Sequence, residues 1–359
     1  MAADTFIPLT IKAVERETAE AISVLFDLPN EHEAAFAFKA GQHLTLKVDI
    51  DGEEVRRNYS LCAAPHEGKL KVAIKQIAGG RFSTWANQSL EPGQAIEVMP
   101  PHGSFTWAFD AARQANYVGF AGGSGITPVL SLLKTALQEE PKSNFTLLYG
   151  NRASSDIIFL EEIASIKDRF MGRFQVYHFL EDELEDIELF NGRLDSDKLA
   201  DLIGTLITPE DVTAAFICGP GPMMDAIEVS LKTAGLGEDQ ILLERFTTGA
   251  PSAAQAAADR ELTQKVAGLE MQVRLEGRTR KLVFDGAQDN ILDTARAKGL
   301  PAPYACKAGV CATCRAKLLS GEVKQRATYG LSKEDAAAGY VLTCQSIPLT
   351  EDVVLDFEG

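Results

Sequence analysis

The sequence predicts a multidomain protein in which three folds follow one another. These are a small antiparallel β-barrel, an α/β domain with a parallel sheet, and a small C-terminal domain organised around cysteines. Three observations predict this order: short strands separated by turn residues fill the first hundred residues, strands and helices alternate from there to residue 246, and four cysteines cluster near the C-terminus. We place the domains at residues 1–110, 111–246 and 266–359, with a linker at 247–265.

The barrel is predicted from six short segments with alternating or β-branched residues. Turn signals such as Asp51-Gly52 and Glu91-Pro92-Gly93 separate them. Six strands at this spacing are typical of a small antiparallel barrel. The predicted strands are Leu9–Val14, Ala21–Leu28, His43–Ile50, Val55–Leu61, Leu70–Ile77 and Ala95–Met99.

The α/β domain is predicted from alternating strands and helices, which imply a parallel sheet covered on both faces. Its predicted strands are Tyr117–Ala121, Phe145–Tyr149, Phe174–Phe179, Ala214–Cys218 and Ile241–Phe246, and its helices are Pro128–Gln138, Phe159–Arg169 and Pro222–Ala234. Residues 247–258 are small and nearly uncharged, as in an interdomain linker, although their alanines also suit a short helix. The last domain begins with a predicted hairpin around Glu276-Gly277 and a helix at Ile291–Lys298.

The composition excludes several classes of protein. The formal net charge of −16 argues against a protein that binds nucleic acid. The acidity belongs to the first 266 residues, with 39 acidic and 23 basic residues, whereas the last 93 carry 12 of each. No signal peptide and no apolar run of about 18 residues is recognisable, so we expect a cytoplasmic protein that does not enter a membrane.

The cysteines near the C-terminus have the strongest pattern in the chain. Cys306, Cys311, Cys314 and Cys344 form C-x4-C-x2-C-x29-C, the plant-type spacing for a [2Fe–2S] cluster. Structural zinc is the main alternative, but zinc modules usually carry paired C-x2-C knuckles and this chain has one C-x2-C. A disulfide framework is disfavoured because nothing else indicates secretion. We assign the four cysteines as metal ligands.

A flavin site is predicted at the end of the fourth barrel strand. An aromatic face, a hydroxyl and an arginine in Arg57-Asn58-Tyr59-Ser60 are what a flavin nucleotide requires, although a strand tyrosine is often only a core residue. The glycine turn at Gly79-Gly80 enters a predicted helix, whose free N–H groups attract a pyrophosphate. The predicted flavin residues are Arg57, Tyr59, Ser60, Leu61, Gly80, Arg81, Phe82 and Ser83.

A nucleotide site is predicted where the first strand of the parallel sheet meets its helix. Residues 122–128 read Gly-Gly-Ser-Gly-Ile-Thr-Pro, in which glycines let the backbone approach a pyrophosphate and Pro128 suits the first helical turn. The pattern is G-x-G-x-x-P and not the usual G-x-G-x-x-G, and a glycine turn can also be only a tight connection. The predicted nucleotide residues here are Gly123, Ser124, Gly125 and Thr127.

Two later segments extend the nucleotide site. Cys218-Gly219-Pro220 lies at the carboxyl end of a predicted strand, where ligands bind in open α/β sheets. Cys218 is either an inert buried residue or a neighbour of the nicotinamide ring. Arg152 and Ser155 follow the second strand, where an arginine accommodates the 2′-phosphate of NADPH, although Asp156 nearby leaves NADH possible.

Through these motifs, the first 246 residues resemble the ferredoxin–NADP reductase superfamily and the last 93 resemble a plant-type ferredoxin. The motifs occur in that superfamily's order, and Phe246 stands where it places an aromatic residue beside the flavin. The whole order is similar to that of oxygenase reductases, in particular the reductase subunits of phenylacetyl-CoA epoxidase complexes, through the segments at 148–152, 216–220 and 303–307. The phthalate-type dioxygenase reductases share the domain order but carry FMN.

The resemblance implies a β-grasp ferredoxin domain and an NAD(P)H-dependent oxidoreductase with FAD and a [2Fe–2S] cluster. It implies that electrons from NADPH pass through these groups to a partner oxygenase, as in the degradation of aromatic compounds. Thr127, Cys218 and Phe246 are the residues it places at the reacting rings. Two alternatives stay open: a reductase for a Rieske-type or haem-thiolate oxygenase that uses NADH, and a non-enzymatic redox sensor or zinc-binding module.

Overall fold

The computed structural model describes residues 5–246 and 253–359. The chain divides into two compact units, one at Phe6–Arg245 and one at Phe246–Gly359, to which Thr5 also belongs. No helix among the described residues is long and apolar enough to cross a membrane.

The first sheet of the N-terminal unit is the predicted antiparallel barrel. Its strands are β1 (Ile7–Thr18), β2 (Ala21–Phe26), β3 (His43–Ile50), β4 (Glu53–Ser60), β5 (Leu70–Lys75) and β6 (Ala95–His102), with helix α1 (Arg81–Ser89) between the last two. The order is β4-β3-β6-β1-β2-β5, and a bridge from Leu61 to Val72 joins its two ends. Strand β1 is longer than predicted because its first part pairs with β6 and its polar second part pairs with β2.

The second sheet of this unit is parallel, as predicted. Its strands are β7 (Asn116–Gly122), β8 (Asn144–Asn151), β9 (Phe174–Leu180), β10 (Ala214–Cys218) and β11 (Ile241–Glu244), in the order β11-β10-β7-β8-β9. Its helices are α2 (Ile126–Glu139), α3 (Leu160–Arg169), α4 (Ser196–Leu202) and α5 (Gly221–Thr233). The short helix α4, which the sequence pattern did not predict, is capped by the Asp195 side chain.

The order of the parallel strands marks the edge of the sheet at which folds of this kind bind ligands. From β7 the chain moves to β8 and β9 on one side, and returns to β10 and β11 on the other. The point between β7 and β10 is therefore the topological switch point, where open α/β sheets bind ligands at the carboxyl ends of their strands. The two predicted nucleotide segments at 122–128 and 218–220 follow β7 and β10 directly.

The C-terminal unit holds a five-stranded mixed sheet in the order β13-β12-β18-β14-β16 and a two-stranded sheet β15-β17. Its strands are β12 (Leu269–Leu275), β13 (Arg278–Phe284), β14 (Arg315–Ser320), β15 (Val323–Gln325), β16 (Tyr340–Leu342), β17 (Ser346–Pro348) and β18 (Val353–Asp356), and its helices are α6 (Ala253–Lys265), α7 (Ile291–Ala297) and α8 (Lys333–Ala337). The predicted hairpin turns at Glu276 and Gly277, which both have positive φ.

The predicted linker overlaps helix α6. Residues 247–252 lie outside the described residues, and residues 253–265 are helical. Val266, just after this helix, is buried in the core of the C-terminal unit, and Leu262 in its last turn packs against that core. The described part of the predicted linker is thus a helix that packs on the C-terminal unit. Its few apolar residues are too small a pattern to predict this packing from the sequence.

Candidate functional site

The predicted flavin residues of the barrel meet at the end of β4. The ring of Tyr59 lies 5.4 Å from the ring of Phe82, centroid to centroid, so strand β4 and helix α1 contact each other through these two motifs. Burial raises the pKa of the Tyr59 hydroxyl well above its usual range, although nearby Arg57 lowers it. Tyr59 is therefore neutral at physiological pH and offers an aromatic face and an uncharged hydroxyl.

Ser60 has a buried hydroxyl with no partner in the described structure. The residue is 3% exposed, and its Oγ makes no hydrogen bond. Leaving such a group unpaired in the interior costs about 1–3 kcal/mol. A ligand with a polar edge, such as a flavin, satisfies it, so the donor set at the end of β4 fits the group that the sequence predicts.

The glycine turn before α1 is shaped by close packing. A Cβ at Gly80 would lie 2.4 Å from Cγ1 of Ile77 and 2.5 Å from Oγ of Ser83. Ser83 Oγ accepts a hydrogen bond from Ile77 N (3.2 Å) and donates one to the Gly80 carbonyl (3.1 Å). Arg81 pairs with Glu53 and donates to the Ile50 carbonyl (2.8 Å). Its guanidinium is held by the β3–β4 turn, so the backbone N–H groups at the start of α1 are the part of this motif that suits a pyrophosphate.

Leu61 is placed differently from its neighbours. Its side chain is fully buried in the barrel core, and its backbone N–H donates to the Gln42 carbonyl at 2.9 Å. Leu61 therefore supports the end of β4 from behind, and its assignment to the flavin site stays a prediction.

The glycine turn after β7 opens helix α2. Gly123 has a φ of 50°, and its carbonyl accepts a hydrogen bond from the Tyr149 hydroxyl at 3.0 Å. Thr127 is 2% exposed, and its Oγ1 donates to the Ser124 carbonyl at 3.0 Å. These bonds hold the turn from both sides and leave the first N–H groups of a fourteen-residue helix available to an anion.

The turn after β7 packs directly on the segment after β10. A Cβ at Gly125 would lie 2.0 Å from the carbonyl oxygen of Cys218, and one at Gly219 would lie 3.0 Å from the backbone nitrogen of Gly122. A Cβ at Gly122 would in turn meet the ring of Pro220 at 2.6 Å. The two predicted nucleotide segments therefore form one surface at the switch point, and glycine is required for this approach.

Cys218 lies at the end of β10 with no exposed surface. Burial, and secondly the carboxylate of Glu244, raise the pKa of its thiol well above the usual range, so the thiol is neutral. Glu244 is the register partner of Cys218 on β11, and its Oε1 lies 3.9 Å from Nδ1 of His43. His43 pairs in register with Ser60 on β4. His43, which the sequence pattern did not indicate, and Glu244 thus connect the predicted flavin and nucleotide sites, and no local motif marks this link.

The predicted site for the adenosine end lies after β8. Arg152 is half exposed and forms ion pairs with Glu20 at 2.9 Å and with Asp156 at 3.1 Å. Ser155 is exposed beside it. The structure therefore supplies an accessible guanidinium whose present partners are carboxylates. Phe246 is 38% exposed and is the first residue of the C-terminal unit, and its role beside a flavin stays a prediction.

The four predicted metal ligands converge as two pairs in the C-terminal unit. Hydrogen bonding to Cys311, and burial, raise the pKa of Cys306. Hydrogen bonding between Cys314 and Cys344 raises the pKa of Cys314 and lowers that of Cys344. The thiols of each pair are therefore within hydrogen-bonding contact of each other.

The cysteine loop exposes backbone N–H groups to the sulfurs. Lys307, Gly309 and Ala312 have positive φ, and the N–H of Ala308 donates to Sγ of Cys306 at 3.3 Å. The Thr343 hydroxyl donates to the Cys314 carbonyl at 2.8 Å and holds the strand end with the fourth cysteine against the loop. Four neighbouring thiolates need a strongly positive centre, and hydrogen bonds to the sulfurs tune such a centre.

The paired arrangement fits two irons better than one zinc. In a [2Fe–2S] cluster each iron takes two cysteine thiolates, whereas structural zinc takes four ligands around one point. The donor set and its pairing therefore fit the cluster.

Three families of domains match the chain in the predicted order. They are the oxidoreductase FAD-binding domain at residues 8–107, the oxidoreductase NAD-binding domain at 120–228 and the 2Fe-2S iron-sulfur cluster binding domain at 273–349. Each matched range contains the flavin, nucleotide or cysteine motif predicted for it. Phe246 and the predicted linker lie between the second and third ranges.

Two curated relatives cover nearly the whole chain. A subunit of 1,2-phenylacetyl-CoA epoxidase from Escherichia coli K12 is 44% identical over 99% of this chain and 98% of its own length. The ferredoxin reductase component of 3-ketosteroid-9-alpha-monooxygenase from Rhodococcus rhodochrous is 34% identical over 97% and 96%. Among solved structures, phthalate dioxygenase reductase has the same fold, with a TM-score of 0.61 and 23% identity over 98% of both chains.

The order of the domains, the nucleotide surface at the switch point, the neighbouring cysteines and the end-to-end identity all point to the same family. The FAD, NAD and [2Fe–2S] groups that the sequence predicts are those of the matched domains. The chain therefore belongs to the family of oxygenase reductases in which FAD-binding and NAD-binding domains of the ferredoxin–NADP reductase type precede a plant-type [2Fe–2S] domain, and it is an oxidoreductase.

Proposed function

We propose that this protein delivers electrons from NADPH, through FAD and a [2Fe–2S] cluster, to the oxygenase component of a phenylacetyl-CoA epoxidase complex in the cytoplasm. The bound groups supply the redox chemistry: the flavin accepts a hydride and releases electrons singly, and the cluster carries one electron at a time. The observation that carries the proposal is the presence, in one chain, of four paired thiols in the C-terminal unit and of a nucleotide site at the topological switch point of the N-terminal unit.

The residues of this chain have distinct tasks in the proposal. The turn at Gly123–Thr127 binds the pyrophosphate, and the buried neutral thiol of Cys218 borders the nicotinamide without charging it. Tyr59 and Ser60 hold the flavin ring by its face and its polar edge. Cys306, Cys311, Cys314 and Cys344 hold the cluster. Arg152 binds the 2′-phosphate and gives the preference for NADPH.

The partner is proposed from the relatives. The relative with 44% identity is named as a subunit of 1,2-phenylacetyl-CoA epoxidase, and the one with 34% identity as a component of a ketosteroid monooxygenase. The higher identity supports the epoxidase. Cys62 and Cys218 are buried free cysteines, which supports a reducing compartment.

The test compares two electron acceptors in the Cys311→Ser variant. Ferricyanide takes electrons from a flavin, whereas cytochrome c needs the cluster, so we expect the variant to lose cytochrome c reduction and keep most ferricyanide reduction. Cys62→Ser is the matched control, because Cys62 lies in the barrel far from the cluster motif in sequence, and it should keep both activities. Cytochrome c reduction that survives in Cys311→Ser would contradict the proposed route.

The partner is tested by reconstitution. Purified phenylacetyl-CoA epoxidase oxygenase subunits should turn over with this reductase and NADPH, and ketosteroid monooxygenase oxygenase should not. Turnover with the ketosteroid monooxygenase oxygenase, and none with the epoxidase subunits, would contradict the proposed partner and favour the ketosteroid monooxygenase instead.

A further inference from the structure

We propose that Asp259 is a positioning residue for the iron–sulfur cluster. Its buried carboxylate ties helix α6 to the two-stranded sheet β15–β17, which adjoins the fourth cysteine, Cys344. The proposal rests on the proposed function, because it requires a cluster at the four cysteines.

Helix α6 is part of the C-terminal unit and not a spacer in front of it. Leu262 packs against the core of the unit, and Val266, just after the helix, is buried in that core. Thr263 is 3% exposed, and its hydroxyl donates to the Asp259 carbonyl at 2.9 Å. These contacts bring the side chain of Asp259, one turn earlier, into the interior.

Asp259 is a buried carboxylate with two cationic partners. The residue is 6% exposed, its Oδ1 accepts a hydrogen bond from Nζ of Lys324 at 2.8 Å, and its Oδ2 lies 3.2 Å from Nε of Arg326. A carboxylate at this depth is tolerated when it is paired, and removal of one side of such a pair leaves an uncompensated charge. The pairing therefore fixes α6 and β15 relative to each other.

The partners of Asp259 lie one step from the cluster ligands. Lys324 is in β15, which pairs with β17 two residues after Cys344. The backbone N–H of Arg326 donates to the Gln345 carbonyl at 2.9 Å. The Gln345 side chain donates to the Lys307 carbonyl of the cysteine loop at 3.0 Å, and its Nε2 lies 3.5 Å from Sγ of Cys344.

This chain of contacts runs from α6 to both parts of the cysteine site. Gln345 holds the cysteine loop and the fourth cysteine together, and the backbone of Arg326 holds Gln345. The carboxylate of Asp259 places Arg326 and also contributes a negative charge near the cluster. Charge and geometry around a cluster set its reduction potential and its resistance to loss.

The experiment measures the cluster directly in the full-length protein. Asp259→Asn and Lys324→Met are compared with wild type by the midpoint potential of the cluster and by the rate of iron release to a chelator. The matched control is Glu261→Gln, an exposed acid on the same helix. Ferricyanide reduction, which needs the flavin only, checks that the N-terminal unit is unaffected.

Both variants should release iron faster, by about tenfold for Asp259→Asn, because each breaks the buried pair. The potential should move in opposite directions. Loss of the carboxylate leaves two cations that favour the reduced cluster and raises the potential, whereas loss of the Lys324 charge lowers it. A general folding defect would not reverse its sign between the two variants. The double variant should release iron no faster than Asp259→Asn alone, because the two residues act as one pair.

The outcomes separate this proposal from the proposed function. A wild-type protein without iron overturns the function and the inference together. Iron in the wild type, with potentials and iron-release rates in both variants equal to those of Glu261→Gln, overturns the inference alone. Should Asp259→Asn fail to accumulate with iron, Lys324→Met, which leaves Arg326 as a partner of the carboxylate, decides by the same two measurements.

Discussion

The site in the C-terminal unit is made mainly by side chains, whereas the nucleotide site in the N-terminal unit is made mainly by the backbone. In the C-terminal unit, four side chains of one kind converge, and the backbone around them supplies secondary contacts. In the N-terminal unit the nucleotide surface is made by backbone atoms that approach one another closely, as at Gly125 and Cys218. A change at one cysteine therefore removes a ligand and leaves its surroundings, whereas a change at one glycine displaces the ends of two strands together.

The largest effect of this difference is expected at Gly125. Gly125→Ala forces the turn after β7 away from the Cys218 carbonyl, because the added Cβ would lie 2.0 Å from it. We expect kcat/KM for NADPH to fall by about 100-fold or more, since a shift of about 1 Å in a reacting geometry has this effect. Stopped-flow reduction of the flavin measures it. Gly221→Ala is the control, because its Cβ meets no atom closer than 4.0 Å, and it should keep most of the activity.

A smaller effect is expected at the unpaired hydroxyl of Ser60. Ser60→Ala should weaken flavin binding by about tenfold, the value of one lost hydrogen bond, and should leave the stability of the flavin-free protein unchanged. Ser23 provides a matched control: its Oγ is equally buried and unpaired, but it lies on β2 outside the predicted flavin motifs. Titration of apoprotein with FAD measures both. Equal losses in the two variants would remove Ser60 from the flavin site.

A third effect concerns the contact between barrel and parallel sheet inside the N-terminal unit. Nζ of Lys134 on α2 lies 2.9 Å from Glu67 and 2.6 Å from Glu162, and its side chain is 11% exposed. Lys134→Met removes both ion pairs and should lower the free energy of unfolding by about 2 kcal/mol and the melting temperature by about 4–8 °C. The loss is moderate because water partly solvates both carboxylates. Arg193→Met breaks an exposed pair with Glu181 and should change neither.

The ion pair of Lys134 with Glu67 also predicts that the stability of the N-terminal unit depends on pH. Burial acts to raise the pKa of Glu67, but Lys134 and the Ala64 N–H lower it overall. Because the folded-state pKa is lower than the unfolded one, the stabilisation is present above the ordinary glutamate pKa and is lost as the pH falls through the lowered value. The melting temperature of the wild type should therefore fall more steeply on acidification than that of Lys134→Met. Parallel curves would show that the pair does not contribute.

The smallest effect is expected at Arg152, which is exposed and already paired with carboxylates. Arg152→Ala should raise KM for NADPH by about twofold to fivefold, the range of an exposed charge contact, and leave KM for NADH unchanged. Steady-state kinetics with both nucleotides measures this. A wild-type preference for NADH of more than about tenfold would refute the role of Arg152.

The sequence was most informative where side chains alone make a site. The spacing of Cys306, Cys311, Cys314 and Cys344 was sufficient to predict their convergence, because few arrangements bring four such thiols together. The alternation of strands and helices likewise predicted both sheets of the N-terminal unit and placed the turn at Gly123–Thr127 at a strand end. These features depend on local patterns and on residue type.

Other features depend on partners that are distant in the sequence. The contact of Gly125 with Cys218 follows from the neighbouring positions of β7 and β10, and the link from Ser60 through His43 to Glu244 needs the barrel and the parallel sheet together. The sequence of helix α6 is rich in alanine and predicted a linker. The residue that anchors it is Asp259, whose ion-pair partners lie 65 and 67 residues later. Single-sequence patterns contain no information on such pairs.

The proposed function requires one polypeptide to store electrons at both a flavin and a cluster. Anaerobic titration with NADPH, followed by absorbance, counts the electrons that each chain accepts. The wild type should accept one electron more per chain than Cys344→Ser, in which a cluster ligand is lost while the flavin residues are untouched. Equal uptake by the two proteins, with the wild type saturating at the capacity of its flavin alone, would contradict this requirement.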